Sequence, residues 1–327
     1  MDQVDLSVVV PVYASEDCLV ALIDAIQASL RETHQSHEVV LVNDGSPDGS
    51  WGVIQKICEQ NANVVGVDLR RNFGQDNAIM TGLRIARGRF IAIMDDDLQH
   101  DPRFLPLLLA KLAEGYDVVY ARFRAKQHAL WKNLGSWLNG KLAEWVIDKP
   151  KGLYLSPYKI LRGDLAREIC HYAGPFPYVD GLLLQATSRI ASVDVEHRER
   201  HAGASHYDLR KSIQVWTRLA VSFSVLPLRL VAVLGTLLAG VAMVLVVVTI
   251  FYRVTDPQEF DQYAVGWASL IVTQLFVSGI QMIFFGIIGE YLGRSYLTLA
   301  HKPQAAIARV LNGERPSPGG PEPSAPS

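Results

Sequence analysis

The chain has 327 residues, enough for one large domain or two smaller ones, and its formal net charge is −2. That balance, with no long basic run, excludes the electrostatic footprint of a nucleic-acid binder. Apolar residues make up 49% of the chain, high for a soluble enzyme, and the excess is concentrated after Leu226.

Residues up to about 122 alternate short apolar runs with amphipathic stretches. Strands are predicted over 6–13, 39–43, 64–69, 90–94 and 118–120, with helices over 19–30 and 76–86 among them. Alternating β and α at this spacing predicts a mostly parallel sheet covered on both faces. From 123 to 225 the pattern loosens. A helix carrying Trp131, Trp137 and Trp145 is expected over 130–147, a strand over 153–161, and a basic amphipathic helix over 209–225. The tryptophans suit core packing or, at a membrane surface, the headgroup layer.

The third zone reads as membrane. Residues 230–252 and 262–289 contain no charged side chain, and roughly 20 apolar residues in a helix span a bilayer core. Two transmembrane helices are therefore predicted. The acidic loop 253–261 between them is flanked on both outer sides by Arg218, Arg229, Arg294, Lys302 and Arg309. By the positive-inside rule the flanks are cytoplasmic and the loop is external. The domain boundaries that follow are a cytoplasmic domain over 1–208, a juxtamembrane helix over 209–229, the two spans, a cytoplasmic C-terminal helix over 290–315 and a disordered tail over 316–327. The start is acidic where a signal peptide is basic, so none is expected. Cys18, Cys58 and Cys170 match no metal or redox spacing and read as reduced thiols. Gly289 and Gly293 form a GxxxG spacing, and Gly235 and Ala239 a small-residue pair. Both permit close helix packing, within one chain or in a homo-oligomer. Glu290 and Arg294 are placed to pair at (i, i+4).

The chemistry gathers at predicted strand ends. Asp95-Asp96-Asp97 follows the apolar run 90–94, and in open α/β sheets ligands bind beyond the carboxyl ends of the strands. Three adjacent carboxylates resist joint ionisation. A divalent cation removes the conflict, and Mg²⁺ or Mn²⁺ is typically held by one or two carboxylates plus substrate phosphates. Val10-Pro11-Val12-Tyr13 ends the first strand. Asp44-Gly45-Ser46 ends the second and suits hydrogen bonding to a base or ribose. Arg71-Asn72-Phe73-Gly74-Gln75 follows the third. Polar loops along one sheet edge make a nucleotide cleft.

Together these residues resemble glycosyltransferase family 2, and within it the polyprenyl-phosphate glycosyltransferases. Arg71 to Gln75, Asp95 to Gln99, Gly203-Ala204-Ser205-His206-Tyr207, Pro227-Leu228-Arg229 and Gly289-Glu290-Tyr291-Leu292-Gly293-Arg294 look like that branch's signature stretches. The resemblance implies a GT-A-like, Rossmann-type domain followed by juxtamembrane and transmembrane helices at the cytoplasmic membrane. It implies metal-dependent, inverting transfer of a sugar from a nucleotide donor, UDP-linked by similarity to bacterial members, to a polyprenyl phosphate. It places Asp95 and Asp97 on the metal and Asp44 on the nucleoside. Pro11, Tyr13, Asn72, Gln75, Asp96 and Gln99 would line the donor site. Arg200, Ser205, His206 and one of Arg122 or Arg124 would lie near the phosphates. Two departures stand out: Leu153 occupies a position where relatives often carry Asp, and His206 stands where they carry Lys. A processive polysaccharide synthase would carry a Gln-x-x-Arg-Trp motif, which 214–218 does not match. A non-catalytic scaffold would have no use for three clustered acids.

Overall fold

The computed structural model describes residues 4–31, 35–123, 153–195, 226–255, 267–300 and 303–314. They form two units, one of residues 1–207 with 301–327 and one of residues 208–300.

The first unit is built on an eight-stranded sheet. Its strands are β1 (Leu6–Val12), β2 (His37–Asn43), β3 (Val64–Leu69), β4 (Phe90–Ile93), β5 (Val118–Phe123), β6 (Lys159–Arg162), β7 (Ile190–Val195) and β8 (Ile307–Leu311). The spatial order is β7-β5-β6-β4-β1-β2-β3-β8. β1 is buried at all seven positions, as expected where helices cover both faces. Helices α1 (Leu19–Arg31), α2 (Ser50–Gln60), α3 (Gln75–Ile85) and α4 (Leu105–Ala113) connect the strands, and α5 (Gly163–Ile169) and α6 (Val179–Ala186) follow β6. Each of the first four lays a run of apolar side chains on the sheet, such as Leu19, Leu22, Ile23, Ile26 and Leu30 of α1.

The sheet is mostly parallel, with six of its eight strands running one way. The four strands β4-β1-β2-β3 are parallel, but β6 runs antiparallel to both β4 and β5, and β8 antiparallel to β3. The predicted strand over 153–161 shortens to β6, because Pro157 interrupts the run and has no N–H to give a ladder.

The chain order decides where a ligand can sit. From β1 the chain builds outward through β2 and β3, then returns to place β4 on the other side of β1. The crevice beyond the ends of β1 and β4 is thus a topological switch point.

The expected C-terminal helix over 290–315 is not what forms. Instead α8 (Trp267–Leu299) runs on to Leu299, and 307–311 becomes β8. The β-branched residues Ile307 and Val310 find partners across β3, with Val67 opposite Val310 and Asp68 opposite Arg309. Tertiary pairing overrides local preference here. In the second unit, α7 spans Leu226–Thr255 and so absorbs 226–229 of the expected juxtamembrane helix. Among the described residues, Phe276–Leu299 is the stretch long and apolar enough to cross a membrane, with mean hydropathy 1.4. The predicted helices over 130–147 and 209–225, the core of the loop 253–261 and the tail lie outside the described residues.

Candidate functional site

A cleft of about 340 Å³ opens at the switch point, within the usual size of small-molecule sites. Its walls are Pro11, Val12 and Tyr13 from the end of β1, Asp44 after β2, Asn72, Gly74 and Gln75 after β3, and Asp95, Asp96 and Asp97 after β4. Eight residues singled out for the donor site therefore meet in one place: Pro11, Tyr13, Asp44, Asn72, Gln75, Asp95, Asp96 and Asp97.

The three aspartates are held differently. Asp95 Oδ1 accepts from Gln75 Nε2 at 2.7 Å, and the Asp95 N–H donates to His100 Nδ1 at 3.1 Å. Burial, followed by the charges of Asp97 and Asp96, pushes the Asp95 carboxyl up to about 6. Asp96 Oδ2 accepts from the Tyr13 N–H at 3.0 Å and from Ser15 Oγ at 2.5 Å. It ties the β1 loop to the β4 loop, and burial raises its pKa as well. Asp97 is exposed, and one of its oxygens accepts from the Gln99 N–H at 3.0 Å. Leu98 has φ 59° and Ala14 φ 55°, left-handed conformations unusual for non-glycine residues and concentrated where function requires a particular loop shape.

Asp44 is 3% exposed, and both its oxygens are taken by backbone. Oδ1 accepts from the Phe73 N–H at 2.7 Å and Oδ2 from the Gly74 N–H at 2.9 Å. Asp44 thus shapes the loop that presents Asn72 and Gln75. The preceding turn needs glycine: Gly45 has φ 63°, and a Cβ there would lie 2.5 Å from the backbone at Arg71 and Asn72.

The remaining candidates that the structure describes are not in the cleft wall. Gln99 contributes its N–H to Asp97 rather than lining the cleft. Arg122, near the end of β5, is paired with Asp194 of β7. Arg124, Arg200, Ser205 and His206 lie outside the described residues. Leu153 is buried.

Sequence reasoning missed several residues that the fold brings to this edge. His100 stacks between Phe123 and Tyr158, with ring centroids 5.4 and 5.5 Å away, so its Nδ1 is set to hold the Asp95 backbone. Lys159 of β6, Asp180 at the start of α6, Tyr120 of β5 and Asp76 at the start of α3 form a polar group beside Asp95. Nothing in local pattern marks them, since they come from four elements far apart in the chain.

The donor set suits a divalent cation in a limited way. Asp95 and Asp97 each keep a carboxylate oxygen outside the hydrogen bonds above. Burial first, then the neighbouring carboxylates, raises the Asp95 pKa against the opposing charge of Lys159. Among the described residues, however, no group of three or more His, Cys, Asp or Glu side chains could hold an ion by itself. The residues fit an ion that completes its shell with ligand phosphates and water.

Residues 7–174 match the family described as Glycosyl transferase family 2. The chain is 31% identical over 313 residues to an undecaprenyl-phosphate 4-deoxy-4-formamido-L-arabinose transferase of Aeromonas hydrophila, covering 94% of each chain. It is 31% identical over 324 residues to the protein of the same name from Proteus mirabilis, covering 95% of each. Among solved structures, glucosyl-3-phosphoglycerate synthase from Mycobacterium tuberculosis, in complex with Mn²⁺, UDP and phosphoglyceric acid, is 19% identical with a TM-score of 0.49. That match covers 67% of this chain and 76% of the other.

Proposed function

The chain belongs to glycosyl transferase family 2, and from that premise we propose that it moves a sugar from a UDP-sugar to a polyprenyl phosphate of the undecaprenyl type. The reaction is a single displacement with inversion at the cytoplasmic membrane face, serving cell-envelope glycan or lipid modification. The observation that carries this reading is the cleft at the β1/β4 switch point, walled by three aspartates, in a chain whose relatives align through its apolar C-terminal third as well.

In this reading Asp95 and Asp97 would hold Mg²⁺ or Mn²⁺. When bound, the ion supplies neutralisation of charge on the departing diphosphate. The chain's own residues do the positioning. Gln75 fixes the Asp95 carboxylate, His100 fixes its backbone, Asp96 locks the β1 loop over the cleft, and Asp44 holds the loop after β3 against the nucleoside. An oxygen of the lipid phosphate attacks the anomeric carbon. The bond from that carbon to the diphosphate oxygen breaks, and UDP leaves with the electron pair. A phosphate monoester has its second pKa near 6, so the attacking oxygen is largely ionised at neutral pH and Leu153 deprives the reaction of no essential base. Arg122 is engaged with Asp194, which favours Arg124 for phosphate contact, together with Arg200, Ser205 and His206.

The membrane arrangement follows from the same reading. Helices α7 and α8 span as a hairpin, with the sheet unit and both termini in the cytoplasm. The Gly289/Gly293 face is proposed for helix packing, including between copies. The test is incubation of the membrane-embedded protein with a panel of radiolabelled nucleotide sugars and undecaprenyl phosphate, followed by lipid extraction. Label should enter the lipid fraction from one UDP-sugar. Label growing into a polymer, or none entering lipid from any donor, would overturn the reading.

A further inference from the structure

The loop between β3 and α3 carries more restraints than a connection needs. The Arg70 N–H donates to the Ala306 carbonyl at 2.9 Å. The backbone of Arg71 and Asn72 lies against Gly45, where a Cβ would come within 2.5 Å of it. The Arg71 guanidinium sits over the Phe73 ring, 4.7 Å from its centroid. Asp44 holds the N–H groups of Phe73 and Gly74, and the Phe73 carbonyl accepts from Asn77 Nδ2 at 2.8 Å. The approach to β8, the turn after β2 and the first turn of α3 thus hold this loop from three directions.

Two polar side chains of this segment belong to the cleft wall, Asn72 and Gln75. Gln75 gives its amide N–H to Asp95. Asn72 is exposed, and among the described residues its carboxamide has no hydrogen-bond partner. Asp44 is in the opposite condition, 3% exposed and with both oxygens taken. A carboxylate so committed has little left for a ligand. A spare carboxamide on a loop already held in place has both its donor and its acceptor to offer, at a small ordering cost.

Position selects the part of the ligand it would meet. Asn72 follows β3, which stands three places from β4 in the order β4-β1-β2-β3, roughly 14 Å at ordinary strand spacing. Asp95 and Asp97 follow β4. Gln75 turns back toward Asp95, while Asn72 stands three residues nearer β3. With the diphosphate at the aspartates, the base lies toward β2 and β3. Uracil presents an acceptor, O4, beside a donor, N3–H. A carboxamide matches both at once, whereas a carboxylate can only accept and faces O4 and O2 with like partial charge. Guanine presents two adjacent donors, N1–H and the 2-amino group, which a carboxylate matches bidentately.

We infer that Asn72 reads the O4 and N3–H edge of uracil, and that Asp44 acts on the base by holding the loop that carries Asn72. The assignment rests on the cleft being a UDP-sugar site. The test compares UDP with N3-methyl-UDP, in which a methyl group replaces the N3 proton, and with GDP. Calorimetry on the full chain in nanodiscs, with Mn²⁺ present, measures all three for the native protein, Asn72→Ala and Asn72→Asp. The native protein should bind UDP about 10-fold or more tightly than N3-methyl-UDP, the scale of one good bidentate base contact. In Asn72→Ala that ratio should fall toward one through weaker UDP binding, with Tm little changed because the side chain is exposed. In Asn72→Asp the preference for UDP over GDP should fall about 10-fold or more relative to the native protein. Equal binding of UDP and N3-methyl-UDP by the native protein, or an unchanged ratio in Asn72→Ala, would give the base to another group and overturn the assignment while leaving the cleft reading intact. Failure of the native protein to bind UDP would overturn both.

Discussion

At the residue scale, the three adjacent aspartates have three different tasks. Asp95 and Asp97 keep oxygens free toward the cleft, whereas Asp96 is committed to Tyr13 and Ser15. Asp97→Asn and Asp95→Asn should each lower kcat by about 10²–10³-fold, the usual cost of losing one electrostatic stabiliser of the transition state. Asp96→Asn should cost less in kcat and appear mainly as a higher KM for the donor. Steady-state kinetics on the three variants separate these outcomes. With no self-sufficient ligand cage among the described residues, Mn²⁺ should bind weakly alone and more tightly with UDP present, as read by electron paramagnetic resonance, and EDTA should abolish transfer. A second prediction concerns Asp76. Its folded pKa of about 6 lies above the ordinary 3.8, so between those values the folded state holds more protons than the unfolded one. Its contribution to stability therefore falls as pH rises through that window and is lowest above it. Asp76→Asn removes the penalty. Its Tm relative to the native protein should be higher at pH 7 than at pH 4, and a constant difference across that range would contradict the burial argument.

At the element scale, β8 makes the C-terminal segment part of the sheet unit. Asn312, at φ 55°, donates from Nδ2 to the carbonyls of Cys58, Asn61 and Val64, and so closes the end of α2 against the start of β3. The Arg70 N–H donates to the Ala306 carbonyl at 2.9 Å, one residue from the loop that walls the cleft. Gln304 is buried, donates to the carbonyls of Tyr172 and Gly174, and accepts from Arg84. Burial lowers the Arg84 pKa, so its guanidinium needs its acceptors, Gln304 Oε1 and the carbonyls of Cys170 and Tyr172. Gln304→Ala should cost about 1–3 kcal/mol, the usual penalty for stripping a partner from a buried polar group, and appear as a lower Tm. A chain ending at Lys302 should lose more, because it also exposes the β3 edge. It should bind UDP poorly even where membrane insertion is unaffected.

At the scale of the whole molecule, the sheet constrains the topology. Strands before and after the helical unit hydrogen-bond in one sheet, so the proposed reading, in which residues 208–300 enter a membrane, calls for an even number of crossings, as in the proposed hairpin. Reporters inserted at 256–261 should read as external, and reporters at either terminus as cytoplasmic. An external N-terminus would cut the donor cleft off from cytoplasmic nucleotide sugars and remove the proposed function.

The sequence by itself determined the βα alternation, the strand-end motifs of the cleft and the apolar character of the C-terminal third. Each of these is written in local periodicity or in a short contiguous motif, where a few neighbouring residues share one structural cause. Only the tertiary structure decided the rest. Residues 307–311 carry no signal that tells strand from helix until the β3 edge stands beside them. Lys159, Asp180, Tyr120 and Asp76 are ordinary polar residues in four separate segments, and only the fold brings them together. Asp44 was legible as part of the site, but its task was not, because its hydrogen-bond partners are the backbone N–H groups of a loop 29 and 30 residues further on.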